Sequence, residues 1–317
     1  MQVMEKNKAA VIKKSNAITK TLADIKKYPQ LYIMILPVIV FYILFSYRPM
    51  YGVLMAFQDF VPLKGIAGSD FVGFKHFITF FNDIYFGRIL KNTVIISFAS
   101  IIFCFPVPII FALLLNEIKN KYIVKPVQTI SYMPHFISMV VFCGIIRDFT
   151  KDTGIITQML SKIGIETGTM LSKPSLFLPI YLISDIWKDA GWNAIIYMAA
   201  LAGVDQQLYD AAKVDGAGRW HQLWHVTISS IMPTIVIMLI MRLGSVLNVG
   251  FEKILLLYNP GIYETSDVIS TYVYRKGLQE FNYGYSTAVN LFNSVISFIM
   301  LIAANQISKK TTEYALW

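Results

Sequence analysis

Charge is scarce in this sequence. Only 15% of its 317 residues are Asp, Glu, Lys or Arg, while 56% are hydrophobic. Soluble domains average about 25% charged, so a water-facing globule of this size is excluded. Cysteine is scarcer still: Cys104 and Cys143 both fall inside apolar runs, where a small buried thiol is the ordinary role, and they carry no message about redox compartment. Histidine occurs four times, as His76, His135, His221 and His225. The last two stand i,i+4 and could share one face of a helix, but no third ligand lies near them. They read as solvated loop residues, and no metal site is assigned. The sequence contains no G-x-x-x-x-G-K-[ST] phosphate loop, which removes ATP hydrolysis by that route. It has no H-E-x-x-H, no paired Cys ligands and no G-x-S-x-G either, so a membrane enzyme is a poor reading.

Long apolar runs are abundant. A bilayer crossing needs about 20 mostly apolar residues, and six windows qualify: Leu31–Tyr47 (extendable past Arg48 toward Phe57), Asn92–Asn116, Pro126–Ile146, Pro174–Ala202, Val226–Phe251 and Phe281–Ser308. The fourth is apolar except for Asp185, Lys188 and Asp189, and the fifth carries one charge, Arg242. Twenty-two Phe and eighteen Tyr suit aromatic anchoring at membrane interfaces. The chain therefore reads as an all-α, multi-pass integral membrane protein. Residues 1–29 form a basic tail, 30–308 a six-helix membrane domain, and 309–317 a second tail.

The net charge of +9 does not point to nucleic acid. Seven of the 28 Lys and Arg precede residue 28 (Lys6, Lys8, Lys13, Lys14, Lys20, Lys26 and Lys27), and a basic tail ahead of a first span marks the cytoplasmic side and anionic lipids. No small-residue cleavage site follows the first apolar run, so that segment is expected to stay. Six crossings from a cytoplasmic tail place both termini in the cytoplasm. The segments then inside hold 14 Lys and Arg and those outside hold 12.

Between the fourth and fifth windows lies a polar stretch, 203–227, which reads as two short helices about a glycine hinge. Asp205 is an N-cap candidate for helix-competent Gln206 to Lys213. Gly216 and Gly218 interrupt the pattern. Arg219 to His225 resume it, with Trp220, Leu223 and Trp224 on one face. Its core, Asp210-Ala-Ala-Lys-Val-Asp-Gly-Ala217, resembles the E-A-A-x-x-D-G-A signature of the permease subunits of ABC importers, with Asp210 replacing Glu and Ser229 standing where a proline is usual. Further stretches look like the oligosaccharide and polysaccharide branch of that family and like the larger maltose-permease subunit. They are Pro49-Met-Tyr-Gly52, Val72-Gly-Phe-Lys-His-Phe77, Leu113-Leu-Leu-Asn-Glu117, Met133-Pro-His-Phe-Ile-Ser138, Asp185-Ile-Trp-Lys188 and Leu255-Leu-Leu-Tyr-Asn-Pro260.

The resemblance covers residues 30–317 and implies a type I ABC importer permease fold in a prokaryotic plasma (inner) membrane. It implies that Asp210, Ala211, Ala212, Asp215, Gly216 and Ala217 form a coupling helix docked on an ATPase. The implied partners are a second, pseudo-symmetric permease subunit, two ATPase subunits, an extracytoplasmic solute-binding protein and membrane lipids. No cofactor is held by this chain, ATP and Mg belonging to the ATPase subunits, and no nucleic acid is involved.

Polar residues within spans are costly and usually face a cavity or a partner. In the fourth window Trp187, Lys188, Gly191, Trp192 and Asn193 recur at helical spacing, and aromatic faces beside amides suit a saccharide. By resemblance, Gly191 to Ala194, His135, Asn248 and Gly250 fall near sugar-contacting positions. The alternative makes Trp187 and Trp192 interface anchors and pairs Lys188 with Asp185 or Asp189. Arg242 reads as structural, bonding carbonyls or a carboxylate across a subunit contact, with a direct substrate role as the alternative. Rival functions are import of a peptide, amino acid or phosphate, or ion-coupled secondary transport.

Overall fold

The computed structural model describes residues 27–118, 120–312 and 314–316. The basic tail therefore lies outside the described residues except for its last three. The described chain forms two compact units, 27–54 and 55–316. The first unit carries most of α1 (Pro29–Phe57), a helix with no buried residue in its most apolar window. The second holds α2 (Phe86–Glu117), α3 (Lys121–Phe136), α4 (Met139–Lys162), α5 (Pro174–Ala202), α6 (Gln206–Val214), α7 (Arg219–Gly244), α8 (Phe251–Leu257) and α9 (Tyr283–Thr311). A short antiparallel ribbon, β1 (Gln58–Asp59) with β2 (Asp70–Phe71), pairs Gln58 with Phe71 and Asp59 with Asp70.

Among the described residues four helices are long and apolar enough to cross a membrane: α1, α2, α7 and α9. The third window, Pro126–Ile146, is not one straight span. The chain turns by 100° between α3 and α4; counted together they make a fifth crossing. The turn follows from local chemistry. Ile137 is extended, and the Ser138 side chain accepts from the Val141 amide to start α4 afresh. At 29 residues α5 is about 43 Å long, but every 18-residue stretch of it contains Asp185, Lys188 and Asp189.

Proline shapes the spanning helices in a regular way. It lacks the N–H that would reach the carbonyl four residues back, and its ring crowds that carbonyl. Widened π-type turns precede Pro49 (Ile43–Tyr47), Pro106 (Ser100–Cys104) and Pro233 (Leu223–Ile228). At the second of these the Phe105 amide bonds the Ser100 carbonyl at 3.2 Å, five residues back.

Boundaries also move. The fifth helix begins at Arg219 and ends at Gly244, so Asn248 and Gly250 lie beyond it, in the irregular link to α8. The second short helix expected in the polar stretch is continuous with α7. The last helix runs to Thr311, taking Lys309 and Lys310 with it.

The packing is inverted relative to a soluble protein. Asn92, Thr93, Ser97, Asn293, Ser297 and Ser308 are buried, while Ile102, Phe103, Leu114, Phe298 and Ile307 stand out at about 60% exposure. Asn92, Thr93 and Ser97 hydrogen-bond inside the bundle, while Ser297 Oγ is buried without a partner; the apolar rim meets lipid tails, which cost it nothing. Three apolar clusters hold the second unit. Phe142, Phe177, Tyr181, Ile254 and Val268 join α4, α5 and α8; Phe80, Ile89, Tyr272 and Val289 join α2 to α9; Ala112, Ala194, Tyr197 and Ile231 join α2, α5 and α7.

Candidate functional site

The α3–α4 break leaves the His135 and Ile137 carbonyls without backbone donors, while Pro134 accepts the Ile137 amide at 3.2 Å, and α5 supplies the missing group. Lys188 Nζ donates to the carbonyls of Pro134 (3.3 Å), His135 (3.0 Å) and Ile137 (2.9 Å). An ammonium has three donors, so all are used, and the side chain is buried. The proposed pairing of Lys188 with Asp185 or Asp189 is thereby corrected, and no donor is left for a substrate. Asp185 instead accepts from buried Lys253 of α8 (3.1 Å), which also donates to the Tyr181 carbonyl (2.8 Å). Asp189 bonds His135 Nδ1 at 2.8 Å. Each charge of α5 is thus met within the chain.

Gly191 is a contact, not a lining residue. A Cβ there would collide with the Ser131 carbonyl, so the absent side chain lets α5 cross α3. Trp192 stacks flat on His135, with centroids 4.5 Å apart, and Trp187 leans on Phe142 at 5.2 Å. Together His135, Trp187, Lys188, Gly191 and Trp192 form the seam between α5 and the bent pair. None of them lines the main cavity.

That cavity, of about 490 Å³, lies between α2, α5, α7 and the link to α8. Its size falls in the range of small-molecule sites, about 300–1,000 Å³. Three of the residues expected for substrate do line it: Asn193, Asn248 and Gly250. Gly250 lies close to Tyr181, since a Cβ there would come within 2.8 Å of Tyr181 Oη. Asn248 Oδ1 accepts from Asn293 Nδ2 at 3.0 Å, leaving its own amide donors available. The Asn193 side chain bonds no partner among the described residues, and Ser100 Oγ is buried without one.

Sequence reasoning assigned no substrate role to Asp185, Asp189, Ser100 and Ser245, and gave Arg242 one only as the alternative; all five also line the cavity. The signal was present as spacing. Asp185, Asp189, Asn193 and Tyr197 recur every four residues along α5, and Met238, Met241, Arg242 and Ser245 mark one stripe of α7. The Trp-bearing stripe belongs to a different face of α5.

The polar stretch forms a second, separate feature. Asp205 caps α6 by accepting from the Gln207 amide at 2.9 Å. The helix closes with a Schellman turn: the Ala217 amide bonds the Ala212 carbonyl (2.8 Å), the Gly216 amide bonds the Lys213 carbonyl (3.0 Å), and Gly216 takes φ +77°. Asp210 pairs only with its neighbour Lys213, and Ala211, Asp215 and Gly216 are exposed while Ala212 and Ala217 are half-buried. Leu208, Val214, Trp220 and Trp224 are 49–88% exposed. Two bonds tie the turn to α7: Tyr209 Oη with Thr227 Oγ1 at 2.9 Å, and Gln222 Nε2 to the Ala217 carbonyl at 2.7 Å.

A polar cavity among apolar spanning helices, with a small-residue helix rigidly joined to one of them, defines a membrane transport subunit. Residues 87–313 match the binding-protein-dependent transport system inner membrane components, and the chain belongs to that family. It is 41% identical, over 97% of its length and 96% of the relative's, to the polygalacturonan/rhamnogalacturonan transport system permease protein YteP of Bacillus subtilis (strain 168). It is 39% identical to protein LplB of the same organism over the whole of both chains. Among solved structures it resembles a subunit of a bacterial alginate ABC transporter crystallised with an alginate pentasaccharide-bound periplasmic protein. There the TM-score is 0.85 at 44% identity, covering 92% of this chain and 98% of that one. The type I importer permease fold expected from the sequence is the fold of these relatives, and the chain is a permease, not a hydrolase.

Proposed function

We propose that this chain forms one half of the translocation path of an ATP-driven oligosaccharide importer. The observation that carries the reading is the cavity, whose free amides at Asn193 and Asn248 and whose Ser100 hydroxyl offer the hydrogen bonds that sugar hydroxyls require. The carbohydrates named for its relatives, polygalacturonan/rhamnogalacturonan and alginate, support the same class. The path is completed by a second permease subunit. An extracytoplasmic binding protein delivers substrate, and two ATPase subunits carrying ATP and Mg drive the cycle; this chain holds no cofactor. Residues 210–217, with the exposed apolar side chains beside them, are the surface on which an ATPase sits. Closure of the ATPase pair is passed through the Tyr209 and Gln222 bonds to α7 and so to the cavity wall.

The reading includes six crossings, with α5 as the sixth. Its length and the internal pairing of each of its charges support this, because a paired charge no longer carries the full insertion penalty. Both termini then lie in the cytoplasm. The test is uptake by the reconstituted complex. Asn193→Ala is expected to lower uptake at subsaturating sugar by about 2- to 10-fold, the loss of one hydrogen bond, with assembly intact. Unchanged uptake would remove α5 from the path.

A further inference from the structure

The charged groups of the cavity are not equivalent. Asp185 and Asp189 each have a partner in the chain, Lys253 and His135. The Arg242 guanidinium lines the same cavity and bonds no group among the described residues. An arginine within a spanning helix is costly, and it persists where it serves a partner or a ligand. Its place in the last turn of α7 is electrostatically suited to a cation, yet it uses none of its five donors on the helix end.

We propose that Arg242 reads a carboxylate, so that the oligosaccharide passing through this subunit is acidic and carries uronate residues. The inference rests on the oligosaccharide-importer reading above. Neutral sugar hydroxyls are served by Asn193, Asn248 and Ser100 and need no permanent cation. A guanidinium presents parallel N–H groups that match a carboxylate in bidentate fashion, which a hydroxyl cannot reproduce. The paired state of Asp185 and Asp189 matters equally, because it leaves Arg242 as the group in the cavity with charge and donors both uncommitted.

The test uses the assembled complex of this chain with its second permease and ATPase subunits, in detergent and without binding protein, so that only the path selects. The probes are trigalacturonate and its fully methyl-esterified, uncharged form. Wild type is expected to bind the acid about 10- to 100-fold more tightly than the ester, as a charge-assisted bidentate contact predicts. R242Q should bring the acid down to the level of the ester and leave the ester unchanged, and R242K should retain part of the preference. An acid-to-ester ratio that survives in R242Q, or equal binding of both probes by wild type, overturns the proposal while leaving the importer reading intact. Failure of R242Q and R242K alike to assemble assigns the guanidinium to a subunit contact and also overturns it. Binding of neither probe by wild type removes the oligosaccharide reading and this inference together.

Discussion

Lys188 shows how a single residue can look like a ligand-binding group and serve the backbone instead. Three carbonyls at the helix break converge on its ammonium; Pro134 also accepts the Ile137 amide, but the His135 and Ile137 carbonyls would otherwise be unmatched acceptors in a low-dielectric interior. Lys188→Met keeps the stem and removes the donors. Stranding buried acceptors costs about 1–3 kcal/mol each, so with two stranded the variant is expected to lose at least about 2 kcal/mol of stability, read as a lower melting temperature of the purified complex. An unaltered melting curve would show that the bend does not depend on this capping. Gly191→Ala acts at the same seam by a different cause. Its Cβ would press on the Ser131 backbone, and overpacking of this kind costs about 1–3 kcal/mol. It too should reduce thermal stability, with the relative affinities for different sugars unchanged.

At the scale of elements, α6 and α7 are the lever of the proposed cycle. The Schellman turn fixes the angle between them, and Gly216 at φ +77° is the residue on which that turn depends. Proline is confined to φ near −65°, so Gly216→Pro cannot form it. A bulky residue at half-buried Ala212 disturbs the packing surface. Both variants are expected in the membrane at wild-type amounts, with uptake abolished and ATPase co-purification reduced. Tyr209→Phe is the finer probe, because it deletes only the bond to Thr227. It should leave the ATPase bound while lowering uptake per ATP hydrolysed by about 2- to 10-fold, the equivalent of one lost hydrogen bond. Full coupling in Tyr209→Phe would place the transmission elsewhere.

At the scale of the molecule, the surface defines the working environment. So many apolar side chains at 50% exposure or more cannot face water without association, and lipid and a partner subunit are their natural cover. The chemistry is divided in the same way. This chain offers a path and a lever, and the sequence contains no nucleotide-binding loop. The purified chain is expected to hydrolyse no ATP, with activity appearing only once ATPase subunits are added and rising with loaded binding protein. Hydrolysis by the isolated, contaminant-free chain would contradict the assignment.

Four of the six apolar windows, the glycine hinge and the Asp205 cap were legible from the sequence because each is set by local chemistry: hydropathy over about 20 residues, a side chain that tolerates positive φ, a carboxylate two residues from an amide. The family could be recognised for the same reason, since its signature lies in one continuous stretch. The cavity could not be read this way. Whether Trp187 or Asp185 faces the path depends on the rotation of α5, and that rotation is set by α3 crossing at Gly191 and by Lys188 reaching the broken helix some 50 residues earlier. The 100° turn itself replaced an expected straight span, because freed carbonyls are tolerable only where a distant donor is brought to them. The pairings of Asp185 with Lys253 and of Asp189 with His135 span 68 and 54 residues. Composition and short-range spacing therefore determined the class of protein and the lever. Only tertiary structure decided which polar groups are occupied by the chain itself and which, Asn193, Asn248 and Arg242 among them, remain open to a substrate.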